Sequence, residues 1–296
     1  MIRINASLAE HSGRQRSKHQ DSQLIESMTN AFFGRPREPD RAEQPLSHED
    51  MVRIASQLHH DAILSPKRFD DAADARLRVV KAFANLAIQT KEYLNTSCDT
   101  LIIDQKSGNL PGLFFKQLTA DIYRNTGKVA PAIHDIVASL RLPDRVNVLE
   151  TYFRDAFENQ LIGDHILIVT EHAISRSSAG LVTFADMIKR IGAEFGKEPE
   201  IRFAAVSVGR EFPTRAQRAD KGLENLYQWY AGELGYSIGS MAFHRANVND
   251  LAYMEGSARP RIVPSSEAGP DAEAAKADMI MLARELAPLV LGKKST

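Results

Sequence analysis

The sequence predicts an α/β fold in which a Rossmann-like parallel sheet is flanked by helices, with helical additions at both ends. Three apolar runs carry this prediction, at residues 101–103, 166–169 and 201–208. Continuous runs of aliphatic and β-branched residues are typical of strands that are buried on both faces. Amphipathic patterns at helical spacing lie before, between and after these runs, and this alternation indicates an α/β sheet.

The composition is that of an ordinary soluble globular protein. Of the 296 residues, 43% are hydrophobic and 25% are charged, and 37 basic residues balance 38 acidic ones. This balance gives no global field that would favour nucleic acid or an anionic membrane, so neither is an expected partner. A local basic patch of Arg210, Arg215 and Arg218 is the exception.

The single cysteine and the hydropathy pattern predict a cytoplasmic protein. Cys98 is the only cysteine, which excludes an internal disulfide and fits a reducing compartment. Because it adjoins a predicted strand, we expect a buried, unreactive thiol. No apolar run approaches the roughly 20 residues of a membrane helix, and the N-terminus lacks the apolar centre of a signal peptide.

The N-terminal region is predicted to be an arm followed by helices. Residues 1–46 form an arm and a proline-punctuated linker that docks either on its own domain or on a partner subunit, so a homodimer is one expected assembly. Residues 47–98 form a helical addition, with helices expected over residues 47–64 and 69–94. Ser47 and Asp50 resemble a capping box for the first of these helices.

A metal site in this addition is not expected. His59, His60 and Asp61 are adjacent in the sequence, but neighbouring positions on a helix point in different directions. No second histidine or carboxylate at metal-ligand spacing accompanies them.

A polar loop follows the strand predicted at residues 101–103. It contains Lys106, Ser107 and Gly108, and a helix with recurring apolar positions comes after it. Gly108 permits a backbone turn that other residues resist, and Lys106 supplies a positive charge at the edge of the loop. Taken alone, this is an ordinary strand-to-helix loop. Further helices are predicted over residues 132–140 and 146–160.

The stretch from residue 164 to 190 is the most informative one. An apolar strand at residues 166–169 gives way to polar residues that include Glu171, and then to the Ser-rich segment 175–178 and an amphipathic helix. Glu171, placed just past the strand, is expected to be exposed where α/β sheets place their ligands. The serines either hold a phosphate at the helix start or simply cap the helix.

The remaining elements are weaker. After the strand at residues 201–208 we predict a helix over 223–234, a proline-containing loop over 258–270 and a terminal helix over 271–291.

The order of these features resembles the type I phosphoribosyltransferase family, over roughly residues 99–210. The segment 104–108 falls on the family's pyrophosphate loop, Thr170 and Glu171 fall on its acidic pair, and the segment 175–178 falls on its phosphate loop. The resemblance implies a core at residues 99–222, and it implies a base-recognising hood and C-terminal helices at residues 223–296.

The resemblance also implies roles for individual residues. Glu171 and Lys106 would be catalytic, with Glu171 on the ribose hydroxyls. The 5′-phosphate would be held by Ser175, Arg176, Ser177 and Ser178. The pyrophosphate would be held by Lys106, Ser107 and Gly108. A mobile loop within residues 124–145 would bring a charge to the site from Lys128, Arg141 or Arg145. Aromatic residues of the hood, Trp229, Tyr230, Tyr236 or Phe243, would stack on a base.

The implied cofactor is Mg²⁺, held mainly by oxygens of the substrate and by water rather than by a dedicated protein cage. The implied reaction is displacement of pyrophosphate from phosphoribosyl pyrophosphate by a nitrogen base. Three residues depart from the family pattern, because Thr170 replaces the first acidic residue and Arg176 and Ser177 replace both loop glycines.

Three functions therefore stand side by side. The first is a phosphoribosyltransferase. The second is a non-catalytic module that senses phosphoribosyl pyrophosphate or a nucleotide. The third is a structural interaction protein built on the same fold.

Overall fold

The structure is a computed structural model that describes residues 46–58, 72–105, 108–136, 138, 144–173, 175–208, 227–232, 250–252, 261–263 and 269–291. For residues 72–75, 172–173, 175–179, 207–208, 250–252, 261–263 and 269–272 it describes the backbone alone. The predicted arm, residues 59–71 with the two histidines, and Arg210, Arg215 and Arg218 lie outside the described residues.

Helices and strands alternate along the described chain. In order they are α1 His48–Gln57, α2 Ala72–Thr96, β1 Thr100–Asp104, α3 Asn109–Thr126, β2 Ala132–Ile136, α4 Arg145–Glu158, β3 His165–Ala173, α5 Ser175–Glu194, β4 Glu200–Val208, β5 Gln228–Ala231, β6 Asp250–Ala252, β7 Arg261–Val263 and α6 Gly269–Leu291.

Five of these strands form one parallel sheet in the order β2-β1-β3-β4-β5. The three predicted apolar runs are β1, β3 and β4, the three central strands. In the register, Thr100 of β1 pairs with Ile166 of β3, and Ile166 pairs with Ile201 of β4. The predicted parallel α/β sheet is thus confirmed. A separate antiparallel pair joins β6 to β7.

Both edge strands were predicted wrongly as helices. Residues 132–136 form β2 and residues 228–231 form β5, and each pairs along its neighbour in the sheet. Strand β5 is held on its outer side as well, because the amide of Gln89 on α2 donates to the carbonyl of Ala231 (2.9 Å) and accepts from its N–H (3.1 Å). The loop predicted over residues 258–270 contains the short strand β7.

Helices cover the sheet on both faces. Helices α1, α2, α3 and α6 pack on one face in a core that includes Leu167 and Val169 of β3. Helices α4 and α5 pack on the other face, in a second core that includes Ile166 and Ile168. The helices expected as additions before residue 99 and after residue 222 therefore share one core with the sheet.

Ser47 caps the start of α1 as predicted, but a bond between the two side chains stands in place of the second contact of a capping box. The N–H of Asp50 donates to Oγ of Ser47 (3.1 Å), and the same hydroxyl donates to the Asp50 carboxylate (2.7 Å). Helix α1 ends at Gln57, seven residues earlier than its predicted end.

A single carboxylate organises the amino-terminal edge of the sheet. Asp99, just before β1, accepts hydrogen bonds from the N–H groups of Asp164 (2.9 Å) and His165 (3.2 Å) and from the hydroxyl of Thr100 (2.9 Å). It thereby fixes the start of β3 against the start of β1. This edge lies opposite the one at which α/β sheets bind ligands.

Candidate functional site

The strand order creates a switch point between β1 and β3. The chain runs from β1 outward to β2, and then returns across β1 to build β3, β4 and β5. At such a point the two connections leave the neighbouring strands in opposite directions, which opens a crevice outside their carboxyl ends. Strand β1 ends there at Asp104, and β3 reaches the same edge with Thr170 and Glu171.

Two helices begin at this edge, one on each face of the sheet. Helix α3 follows β1 and packs in the core of α2 and α6, whereas α5 follows β3 and packs with α4. The amino end of a helix carries partial positive charge, which favours an anion. The switch point is therefore flanked by two positive helix ends.

Gly108 brings the start of α3 into contact with β3. A Cβ atom at this residue would lie 2.6 Å from the carbonyl oxygen of Val169, 2.8 Å from that of Asp104 and 3.3 Å from Cα of Thr170. The N–H of Gly108 also donates to the Asp104 carbonyl. Its φ is −110°, so lack of space, rather than a turn that other residues resist, requires glycine here.

Asp104 places a carboxylate at the end of β1. It is 7% exposed, and its Oδ1 accepts from the N–H of Ala138 (3.2 Å). The resemblance assigned this residue only to the pyrophosphate loop as a whole. The sequence signal that could have singled out Asp104 is an acidic residue directly after an apolar run, and the same signal marked Glu171.

Glu171 does not lie in a loop, and the prediction that it is exposed was wrong. Strand β3 continues to Ala173 because residues 172 and 173 pair with 207 and 208 of β4, and pairing overrides the polar character of the segment. Glu171 is 1% exposed, and Thr170 is fully buried. By strand alternation, Glu171 lies on the same face as Leu167 and Val169, towards α2, α3 and α6.

The Ser-rich segment 175–178 forms the first turn of α5, which begins at Ser175, and not a polar turn before the helix. The side chains of Ser175, Arg176, Ser177 and Ser178 lie outside the described residues. Both the phosphate-binding interpretation and the capping interpretation of these hydroxyls stay predictions.

Of the remaining residues predicted for the other two loops, the structure describes Lys128 and Arg145. Lys106, Ser107 and Arg141 lie outside the described residues. Lys128 precedes β2 at the opposite edge of the sheet, where its ammonium donates to the carbonyl of Asn95. Arg145 begins α4 and is 6% exposed. Lys128 therefore does not reach the carboxyl edge, and Arg145 belongs to a helix rather than to a loop.

A hydrogen-bonded cluster that the sequence did not predict joins the residue after β1 to β2 and α3 at the carboxyl edge. Nε2 of Gln105 donates to Oδ1 of Asp135 (2.6 Å), and Nζ of Lys116 lies 2.8 Å from both oxygens of the same carboxylate. The main-chain N–H of Gln105 donates to the carbonyl of Ile136 (2.8 Å). Gln105 is 3% exposed, so this cluster reaches into the interior.

The described aromatic residues of the expected hood contact protein rather than open space. Trp229 stacks on Phe203 with ring centroids 4.1 Å apart, and the hydroxyl of Tyr230 accepts from Arg202 (2.6 Å). Both belong to β5. Tyr236 and Phe243 lie outside the described residues.

Metal and thiol chemistry find limited support. Within the described ranges, no group of three or more His, Cys, Asp or Glu residues could hold a metal ion. Asp104 and Glu171 do not form one ligand set, because strand alternation places Asp104 on the face of Ile102 and Glu171 on the opposite face with Val169. Burial raises the pKa of the Cys98 thiol to about 12, so Cys98 stays protonated and unreactive, as expected.

Comparison with known proteins finds no family model, no curated protein and no solved structure that matches this chain. The described helices also include none that is long and apolar enough to cross a membrane.

Proposed function

We propose that this protein binds a phosphorylated ribose compound, phosphoribosyl pyrophosphate or a nucleotide, at the carboxyl edge of the sheet between β1 and β3. The observation that carries the proposal is the switch point itself, where two helices begin on opposite faces. Gly108 draws the first of these helices onto β3. This arrangement suits an anionic group that lies against main-chain amides.

The charges at the edge favour a phosphate that brings a cation with it. The amino ends of α3 and α5 attract an anion, but the carboxylate of Asp104 at the end of β1 opposes one. A diphosphate that carries Mg²⁺ meets both demands, because Mg²⁺ is usually held by phosphate oxygens and one or two carboxylates. The resemblance to phosphoribosyltransferases names the same pair, phosphoribosyl pyrophosphate with Mg²⁺.

One observation favours binding without transfer. In the family, the acidic residues contact the ribose hydroxyls of the substrate. Here Glu171 is buried within β3, and the family's first acidic position is occupied by Thr170. We therefore place the sensing module first and the transferase second. Transfer of the phosphoribosyl group to a nitrogen base would release pyrophosphate, so Mg²⁺-dependent pyrophosphate release separates the two.

The binding proposal is tested by thermal unfolding with phosphoribosyl pyrophosphate and Mg²⁺, alongside pyrophosphate and several nucleotides. A ligand that binds only the folded state raises the melting temperature, by an amount that grows with its concentration relative to Kd. We expect a rise of several degrees with the sugar phosphate. If none of these compounds raises the melting temperature, the binding proposal is wrong and the structural interaction protein takes its place.

Matched variants locate the site. Asp104→Asn and Glu171→Gln keep side-chain shape but remove a charge at the carboxyl edge, and we expect each to reduce the ligand-induced rise. Asp99→Asn removes a charge at the opposite edge, where it should lower the melting temperature without changing the rise. Equal rises in all three variants would place the ligand elsewhere.

A further inference from the structure

The orientation of the Gln105 amide is fixed by its neighbours. A carboxylate only accepts hydrogen bonds. The carboxylate of Asp135 also forms an ion pair with Lys116. The group of Gln105 that lies 2.6 Å from Asp135 must therefore be its NH₂ and not its oxygen. This contact settles which way the amide points.

The opposite end of that amide is a buried acceptor. Oε1 of Gln105 is shielded from solvent and has no hydrogen-bond partner in the described part of the chain. A buried acceptor that is left unsatisfied costs folding free energy, about 1–3 kcal/mol. Buried polar groups that lack a protein partner are therefore often satisfied by an ordered water or a ligand.

We propose that Oε1 of Gln105 accepts a hydrogen bond from a hydroxyl group of the sugar phosphate bound at the carboxyl edge. Gln105 is then a specificity-determining residue, and Asp135 and Lys116 are positioning residues that keep its oxygen available. This inference rests on the proposed function. It goes further in naming the chemical feature that is read, a hydroxyl donor on the sugar.

The selectivity follows from the buried acceptor. A ligand that brings the donor satisfies Oε1, whereas an analogue without it leaves the oxygen unpaired in a site closed to bulk water. One uncharged buried hydrogen bond corresponds to roughly a tenfold difference in Kd.

The experiment compares the binding of ribose 5-phosphate with analogues that each lack one hydroxyl, measured by calorimetry on the full chain. We expect the parent protein to bind at least one analogue about tenfold more weakly. Gln105→Leu should bind the complete sugar and that analogue equally. Asp135→Asn should reduce the discrimination as well, because an amide at this position lets the Gln105 amide turn round.

Gln117→Leu is the matched control. Gln117 also donates to a carboxylate, that of Asp121 (2.9 Å), but within helix α3 and away from the carboxyl edge. This variant should discriminate as the parent does. Circular dichroism checks that each variant folds, and Asp135→Asn serves if Gln105→Leu does not.

The outcomes are distinct. If the parent binds none of these monophosphates, this inference fails, whereas the proposed function is decided separately by the melting temperature with phosphoribosyl pyrophosphate and Mg²⁺. If the parent binds them and Gln105→Leu keeps the parent's discrimination, the function stands and the role of Gln105 is refuted, with Oε1 satisfied by a structural water only.

Discussion

Replacing Gly108 with alanine is expected to destabilise the fold at the switch point. The added Cβ would lie 2.6 Å from the carbonyl oxygen of Val169 and 2.8 Å from that of Asp104. Both atoms belong to the main chain of the central strands, so neither can move aside as the end of a flexible side chain would. Relief requires α3 to shift away from β3.

The magnitude follows from the cost of overpacking. Forcing one extra carbon into a tightly packed site costs about 1–3 kcal/mol, through displaced backbone and side chains. The φ of −110° at Gly108 is negative, so no penalty for a left-handed backbone is added. The whole effect is therefore steric.

Gly180→Ala is the control of opposite sign. Gly180 lies within helix α5, and among the described residues no atom outside the helix backbone lies within 4 Å of an added Cβ. Alanine in a helix interior is favoured over glycine by about 0.5–1 kcal/mol. Urea unfolding should therefore separate the two variants by roughly 1.5–4 kcal/mol in free energy of unfolding, with little change in the m-value.

A Gly108→Ala protein that is as stable as the parent would refute this reasoning. It would mean that the start of α3 does not press on β3, and the loop contact that supports the proposed phosphate site would be lost with it. A destabilised protein that keeps its ligand response would separate the packing role of Gly108 from binding.

Three further predictions concern buried and clamped polar groups. Burial raises the pKa of Cys98 from 9.0 to about 12, so the unfolded state loses this proton first. The contribution of Cys98 to the free energy of unfolding should be complete below about pH 9 and fall by about 1.4 kcal/mol per pH unit above it. Urea unfolding of Cys98→Ala, measured over the same pH range, should not show this decrease. Glu171→Ala should lower the free energy of unfolding by about 1–3 kcal/mol because the residue is buried, and Glu171→Gln should lower it less. If Glu171→Ala is as stable as the parent, the burial of Glu171 is contradicted. Asp99→Ala should cost about 1.5–3 kcal/mol in urea unfolding because two main-chain amides lose a charged acceptor, and an unchanged midpoint would show that the clamp contributes nothing.

The sequence predicts the centre of the sheet well and its edges badly. Strands β1, β3 and β4 are buried on both faces, so each contains a short, largely apolar run of the kind that favours a strand over a helix. Residues 133, 136, 137 and 140 are apolar at helical spacing, as are residues 223, 226, 227 and 230. Those spacings fit a helix, but pairing with β1 and β4 decides the outcome for β2 and β5.

The same limit applies to the candidate site. Its position at the ends of β1 and β3 could be predicted, because polar residues follow both apolar runs. The cluster of Gln105, Asp135 and Lys116 could not, since it joins three elements and one of them was predicted as a helix. The burial of Glu171 also escaped prediction, because it depends on how far β3 continues along β4.

The core formed by α1, α2, α3 and α6 affects how the chain folds during its synthesis. Helix α6 lies along α3, yet it follows the end of β4 by about sixty residues. At roughly 5–20 residues per second, the ribosome completes the central strands several seconds or more before α6 is made. During that interval the apolar surface of α3 that α6 covers in the folded protein has no cover. That uncovered face is where a chaperone, or another nascent chain, would make its first contact.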